Sequence, residues 1–146
     1  MSTLSQLASD TPSLSPALNG VRLTLHVLAA TIWVGGQITA AGLLPTVRGL
    51  SPDAPKLVAR ALARLLWPAY AVLIITGLWN ISSFNLTGAP SAWTAVLSIK
   101  IAVVVVAGVA VSLHQRATTK GALAVWGSIG ATASVIALVL GVMLAG

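Results

Sequence analysis

Three ionisable side chains fall inside long apolar stretches of the sequence: His26, Lys100 and His114. Burying an ionisable group in hydrocarbon is costly unless the group is paired, neutral or close to water, so each of the three is a candidate functional residue. A histidine at such a position can ligate a metal, serve as the axial ligand of a haem iron, or transfer a proton. It can also be a neutral, structural residue that is hydrogen-bonded to a neighbouring helix. A lysine can neutralise a bound anion, or extend its ammonium group outward to the membrane surface.

The composition predicts that these residues belong to a membrane protein in contact with the lipid bilayer. Of 146 residues, 57% are hydrophobic and 7% are charged, whereas soluble domains carry roughly 25% charged residues. The absence of cysteine excludes thiolate metal sites, and the only acidic residues, Asp10 and Asp53, exclude a carboxylate dyad within the membrane. The net charge of +6 indicates basic loops on anionic lipid rather than nucleic-acid binding, for which no motif is present.

Four apolar runs divide the chain, at about residues 21–44, 65–83, 92–113 and 122–145. Each is close to the roughly 20 residues that a helix needs to cross a bilayer, and none shows the alternation of a barrel strand. The sequence therefore predicts an all-α fold, an integral membrane four-helix bundle over residues 20–146. Residues 1–19 are expected to form a polar, mobile segment, and Pro45 is expected to end the first helix.

Basic residues predict the orientation of the bundle. One arginine, Arg22, lies at the outer start of the first span, whereas six basic residues follow the first and third spans: Arg48, Lys56, Arg60, Arg64, Arg116 and Lys120. Because basic loops stay in the cytoplasm, we expect a multi-pass protein of the cytoplasmic membrane with the N- and C-termini outside. The spacing of Lys56, Arg60 and Arg64 predicts one basic helical face along the lipid headgroups.

His26 and Lys100 are expected at similar depths, roughly 8–12 Å below the outer boundary of the membrane. The other two spans approach that boundary with polar or soft side chains. The candidate outer-half site comprises His26, Lys100, Thr76, Trp79, Asn80 and Met143. On the first span, the spacing of His26, Ala30, Trp33 and Gln37 predicts one stripe that faces the bundle.

His114 lies at the inner end of the third span, beside Gln115 and Arg116. Its depth differs from that of His26 by roughly 20 Å, so the two histidines are not expected to ligate one ion or one haem iron within a protomer. Two interpretations stay open for His114, an interfacial polar residue and a separate ligand. Met143 with His26 is the soft intramembrane pair that could hold Cu(I).

Three segments of the chain resemble the membrane domain of the copper-resistance protein D (CopD) family. They are residues 25–36 (LHVLAATIWVGG), residues 76–80 (TGLWN), and the aliphatic run that follows Lys100 and closes on His114. Together they cover most of residues 21–118. The resemblance implies copper binding or uptake at the cytoplasmic membrane of a bacterium, for which the candidate metal ligands are His26, Met143 and His114.

The same positions are also similar to the HemJ-type protoporphyrinogen oxidase family. In that family a first-helix histidine and a third-helix lysine take part in haem association and activity, and His26 and Lys100 occupy those positions. Leu44-Pro45 followed by Arg48 resembles its Leu-Pro-Arg segment, with the arginine displaced by two residues. This resemblance implies haem b held by His26 and Lys100, and a haem-pathway oxidoreductase if the chain is an enzyme; Trp33 and Trp79 are the further candidate cofactor-binding residues.

From the sequence we expect a CopD-like membrane protein that handles copper. The alternatives are haem binding or haem-pathway oxidation, and a non-catalytic accessory subunit of a membrane complex. Glycine and alanine are abundant in the first and fourth spans, which favours close helix packing and allows a homo-oligomer or a larger complex. No catalytic residue is assigned. A Ser-His-acid set cannot be assembled at one depth, and neither acidic residue lies in a span, where a proton-coupled transporter usually needs one.

Overall fold

The computed structural model describes residues 16–84 and 86–145. Within these residues the chain forms four α-helices: α1 at Ala17–Leu50, α2 at Ala54–Ser82, α3 at Ser91–Arg116 and α4 at Lys120–Ala145. A single 3-10 turn at Leu86–Gly88 lies between α2 and α3. By length and apolar composition, all four helices are able to cross a membrane, and in these terms the predicted all-α membrane fold is confirmed.

The predicted polar segment at residues 1–19 lies outside the described residues up to residue 15. Its last three residues form the first turn of α1, which begins at Ala17 directly after Pro16. A proline disfavours helical conformation in the residue before it, so Pro16 suits the start of a helix. The helical domain therefore begins slightly earlier than the predicted boundary at residue 20.

The prediction that the first helix ends at Pro45 is wrong, because α1 continues through it to Leu50. Helix α2 likewise contains Pro68. A proline removes one backbone hydrogen bond and bends a helix, but a broken helix within a bilayer would leave several backbone groups without partners. Continuing the helix is therefore favoured, and the 34 residues of α1 extend over about 50 Å.

Helix α2 begins at Ala54, well before the predicted second span at residue 65. The backbone N–H of Ala54 donates to the hydroxyl oxygen of Ser51 at 3.1 Å, which closes the short turn that precedes the helix. A proline also lies in the first helical turn, where its missing N–H costs nothing. The early start places the basic residues of this segment on the helix, and their side chains are exposed: Lys56, Arg60 and Arg64.

The helices pack as two antiparallel hairpins, α1 with α2 and α3 with α4, and a thinner junction joins α1 to α4. The turns at residues 51–53 and 117–119 lie at one end of the bundle, which we call the hairpin end. The opposite end, where α1 and α3 begin and α2 and α4 finish, is the open end. Facing pairs fix the register of the hairpins: Gly36 with Leu66, His26 with Gly77, His114 with Gly127, Val111 with Gly130, and Lys100 with Gly141.

An aromatic cluster of Trp33, Trp67 and Tyr70 fills the middle of the bundle. The ring centroids of Trp33 and Tyr70 lie 4.6 Å apart, and Trp67 meets the other two rings edge-on at 5.9 and 5.8 Å. The Tyr70 hydroxyl donates to the carbonyl of Val104 at 2.9 Å, and the Trp67 indole N–H donates to the Gln115 side-chain oxygen at 3.0 Å. These two hydrogen bonds join α2 to α3.

The aromatic cluster depends on a close approach at Gly108, where a Cβ would overlap the Tyr70 hydroxyl. We predict that Gly108→Ala lowers the free energy of unfolding by about 1–3 kcal/mol, because the phenol must move and its hydrogen bond to Val104 is weakened. Unfolding of the purified protein in mixed detergent micelles, followed by circular dichroism, measures the change. Gly35→Ala is the matched control, since a Cβ there meets nothing within 4 Å, and equal losses in both variants would contradict the prediction.

Candidate functional site

The stripe of His26, Ala30, Trp33 and Gln37 on α1 is turned toward the other helices. Ala30 is half-buried and Trp33 is 3% exposed. His26 forms a hydrogen bond with α2, and Gln37 forms one with α4. The helical repeat therefore gathers the polar and aromatic side chains of this segment on the inner face of α1.

His26 is hydrogen-bonded to Thr76 of α2, with 2.7 Å between Nδ1 and Oγ1. The Thr76 hydroxyl lies 2.6 Å from the carbonyl oxygen of Val72, which can only accept, so the single hydroxyl proton is donated there. Thr76 must then accept from His26, and we assign the proton of the neutral ring to Nδ1. The lone pair on Nε2 is left free to bind a metal or a proton.

Lys100 reaches the same level of the bundle from α3. Its half-buried side chain passes over Gly141 of α4, where a Cβ would lie 3.0 Å from Nζ. The ring of His26 lies against Gly77 of α2, and the charge of Lys100 acts on that ring. His26, Thr76 and Lys100 are thus brought to one level, and the glycine of α4 makes room for the lysine side chain.

Arg22 is a site residue that the sequence analysis treated only as an orientation marker. It is 6% exposed, and its guanidinium donates to the hydroxyl of Ser83 at the end of α2. Its Nε is buried and has no hydrogen-bond partner, and neither has the side-chain oxygen of Asn80. Arg22 precedes His26 by four residues, so extending the α1 stripe by one turn would have identified it.

Ser134 links α1 to α4 at a position nearer the hairpin end than His26. Its hydroxyl oxygen accepts from the Trp33 indole N–H and from the Gln37 amide, both at 3.0 Å. The hydroxyl proton of Ser134 is donated to the carbonyl of Gly130 at 2.7 Å. Because Trp33 has its N–H committed to Ser134 and its ring packed in the aromatic cluster, its position in the structure is that of a core residue.

His114 lies at the hairpin end, away from His26. Its Nδ1 donates to the carbonyl of Leu123 at 2.8 Å, and its ring packs against Gly127, so it ties the end of α3 to the start of α4. The fourteen residues between Lys100 and His114 correspond to about 21 Å along α3. His114 therefore lies at a different depth in the bundle from His26 and Lys100.

Two other sequence candidates lie on the surface near the open end. Met143, in the last turns of α4, is 61% exposed, which places its thioether on the outside of the bundle. Trp79, near the end of α2, is 37% exposed. Of the candidate outer-half residues, three share one level: His26, Thr76 and Lys100. Asn80 lies one turn nearer the open end than Thr76 on α2. Met143 and Trp79 face outward.

Two cavities of the structure lie away from His26 and Lys100. A groove of about 450 Å³ on α1 is lined by Leu23, Thr24, Val27, Leu28 and Thr31, on the face opposite the stripe. A smaller cavity of about 180 Å³ lies between α1 and α4 beside Gln37 and Ser134. Neither is lined by His26 or Lys100. Among residues 16–84 and 86–145, no three His, Asp or Glu side chains form a group that could hold a metal ion.

The Ser134 hydrogen bonds predict a measurable contribution to stability. In Ser134→Ala, the buried indole N–H of Trp33 and the amide of Gln37 lose their shared acceptor, so we expect the free energy of unfolding to fall by about 1–2 kcal/mol. Detergent unfolding monitored by tryptophan fluorescence measures the loss. Ser98→Ala is the control, because that hydroxyl bonds only to the Thr94 carbonyl of its own helix. A control loss as large as that in Ser134→Ala would refute the interpretation.

Comparison with protein-family models, with curated proteins and with solved structures gives no match for this chain. The resemblance to the CopD and HemJ-type families therefore stays a prediction from the sequence motifs. At the open end, His26 keeps one free ring nitrogen, Arg22 lies one helical turn from it on α1, and the charge of Lys100 acts on its ring.

Proposed function

We propose that this chain is a haem b-binding membrane protein in which His26 is the axial ligand. The observation that carries the proposal is the His26–Thr76 hydrogen bond, which uses the Nδ1 proton and leaves the Nε2 lone pair for iron. Metal-ligating histidines almost always donate their other ring N–H to a neighbouring group in this manner. When bound, haem supplies an iron able to carry one electron, and His26 orients and holds that iron.

The charges near His26 favour haem over a bare metal ion. Lys100 acts on the His26 ring, and Arg22 lies one helical turn from it on the same face of α1. The acidic residue in the described part of the chain, Asp53, lies at the hairpin end. Haem carries two propionate carboxylates that would neutralise two cations, whereas a copper ion would add positive charge to a basic site.

Ligand chemistry favours the same choice. A haem iron needs one good axial nitrogen from the protein, because the porphyrin supplies the four equatorial ligands. Cu(I) prefers several soft ligands, and here cysteine is absent and Met143 faces outward. Neither of the two cavities is lined by His26, so a haem held by His26 would lie at the open end rather than in either cavity.

Copper handling is the second candidate function. It is supported by the resemblance of residues 25–36 to the CopD family and by the same free Nε2 of His26. A copper ion at this level would need further ligands besides His26, such as Met143 after a change of side-chain conformation or residues of a second copy. A non-catalytic accessory subunit is the third candidate, and it predicts a colourless protein that purifies with partners.

We further propose that the hairpin end faces the cytoplasm and that the chain lies in the cytoplasmic membrane with both termini outside. This orientation is supported by the basic residues at or near the hairpin end: Arg48, Lys56, Arg60, Arg64, Arg116 and Lys120. Cytoplasmic loops carry such an excess. The His26 site would then open toward the outer leaflet.

The absorption spectrum tests the haem proposal. Protein purified in mild detergent from haem-replete cells is expected to show a strong Soret band that shifts on reduction with dithionite. His26→Ala should lose the band, because the iron loses its axial nitrogen. His114→Ala is the matched control and should keep it, since His114 lies about 21 Å further along the bundle. A colourless wild-type protein, or a band that survives in His26→Ala, would reject the assignment; metal analysis after copper loading would then test copper.

Thr76 tests the role of the ring tautomer. Thr76→Val keeps the shape of the side chain but removes the acceptor for His26 Nδ1, so haem affinity should fall by roughly 10–100-fold. Titration of the haem-free protein with haem, followed at the Soret band, measures the affinity. Thr31→Val is the control, because the exposed Thr31 hydroxyl bonds only to the Val27 carbonyl of α1. Equal haem affinities in Thr76→Val and the wild type would show that this hydrogen bond does not control haem binding by His26.

A further inference from the structure

Arg22 is a buried charge without a counter-ion in the described structure. Its exposure of 6% makes it the one charged side chain that is buried among residues 16–84 and 86–145. A guanidinium stays protonated in proteins, so it cannot escape the cost of burial by losing a proton. Buried charges are normally paired or fully hydrogen-bonded. A charge held in this way therefore points to a partner that comes from outside these helices.

No carboxylate among the described residues can serve as that partner. Asp53 precedes α2, whereas Arg22 contacts Ser83 at the other end of the same helix. The second acidic residue of the sequence, Asp10, lies outside the described residues. Lys100 adds a further positive charge deeper in the bundle, and this charge acts on His26. The charged side chains described near the open end, Arg22 and Lys100, are thus both basic.

The guanidinium of Arg22 keeps one donor that no described residue uses. One terminal nitrogen of the guanidinium is bonded to Ser83, while Nε is buried and free. Asn80, three residues before Ser83 on α2, also has a buried side-chain oxygen without a partner. The oxygen and nitrogen of an amide are assigned from their hydrogen bonds, so a rotated Asn80 amide would offer N–H to a ligand. A single oxyanion could then accept from Arg22 and Asn80 together.

We propose that the start of α1 and the end of α2 form an anion site, in which Arg22 and Asn80 bind a phosphate or carboxylate group. The Ser83 hydroxyl holds the guanidinium in place and donates its own proton to the Trp79 carbonyl. The guanidinium fork fits the two oxygens of such a group. Two sources carry this chemistry: the phosphate of a phospholipid headgroup, and a propionate of haem, the latter resting on the proposed function. The Phe84–Trp93 ring pair, with centroids 5.4 Å apart, lies beside the site and is typical of the headgroup level of a membrane.

Thermal unfolding in a non-ionic detergent tests the site with inorganic phosphate as the probe. The wild-type protein should gain a saturable increase in Tm from phosphate relative to sodium chloride at equal ionic strength. In Arg22→Gln the apparent affinity for phosphate should fall roughly tenfold or more, because a charge-assisted hydrogen bond is lost. Arg60→Gln is the control and should respond as the wild type does, since Arg60 is exposed at the hairpin end.

Two further probes distinguish the sources of the anion. Nanodiscs of phosphatidylcholine with or without phosphatidylglycerol test the headgroup, and metal-free protoporphyrin, which carries two propionates and no iron, tests the carboxylate. A Tm increase that depends on Arg22 with either probe supports the site and names its ligand. Because neither probe contains iron, the result is independent of the Soret test, and failure of one proposal does not imply failure of the other.

Equal stabilisation of the wild-type protein by phosphate and chloride, with no effect of phosphatidylglycerol or protoporphyrin, would overturn the proposal. The same holds if Arg60→Gln loses the response as fully as Arg22→Gln. If Arg22→Gln fails to fold, two other measurements test the site. They are the phosphate titration of the wild-type protein and the same titration of Asn80→Leu, which removes the second donor and should weaken phosphate binding. A wild-type protein that ignores all three anions but loses stability in Asp10→Asn would indicate an internal counter-ion and would also overturn the site.

Discussion

Polar groups within a bilayer must find their hydrogen-bond partners inside the protein, because lipid tails offer none. Nearly every interhelical contact of this bundle that is not purely apolar meets that constraint. His26 bonds to Thr76, Trp33 and Gln37 share Ser134, Trp67 bonds to Gln115, Tyr70 to Val104, and His114 to Leu123. These pairs fix how each helix is rotated. Against that background, the unpaired Arg22 Nε and Asn80 oxygen are exceptions.

The two histidines differ in their surroundings, and this difference distinguishes a structural histidine from a candidate ligand. Both donate from Nδ1, His26 to a hydroxyl of a neighbouring helix and His114 to a backbone carbonyl near the turn. His114 lies where two helices of one hairpin meet, and its contacts are accounted for by that packing. His26 lies one helical turn from the buried Arg22 and is acted on by the charge of Lys100, so its free ring nitrogen lies in a positively charged environment.

The number and approximate location of the spans were predictable from the sequence, because apolar runs of helical length have no other stable place than a membrane. The stripe on α1 was predictable for a related reason, since spacing fixes which residues share a face. Helix ends were harder. Pro45 suggested a stop by local geometry, but the helix continues because backbone groups in a bilayer need partners. Arg22 was missed because charge at a span end was interpreted as topology, and burial depends on how α1 and α2 rotate.

The thin junction between the hairpins bears on how the protein is made. Within each hairpin the helices pack closely, while α1 meets α4 over a much smaller surface that centres on Ser134. Because a chain is synthesised from its N-terminus, the α1–α2 pair is complete before α3 and α4 are made. Arg22 and His26 arrive with the first pair and Lys100 with the second. Under the proposed function, the first pair alone would therefore carry His26 without Lys100, and the full set of basic groups around His26 would require both pairs.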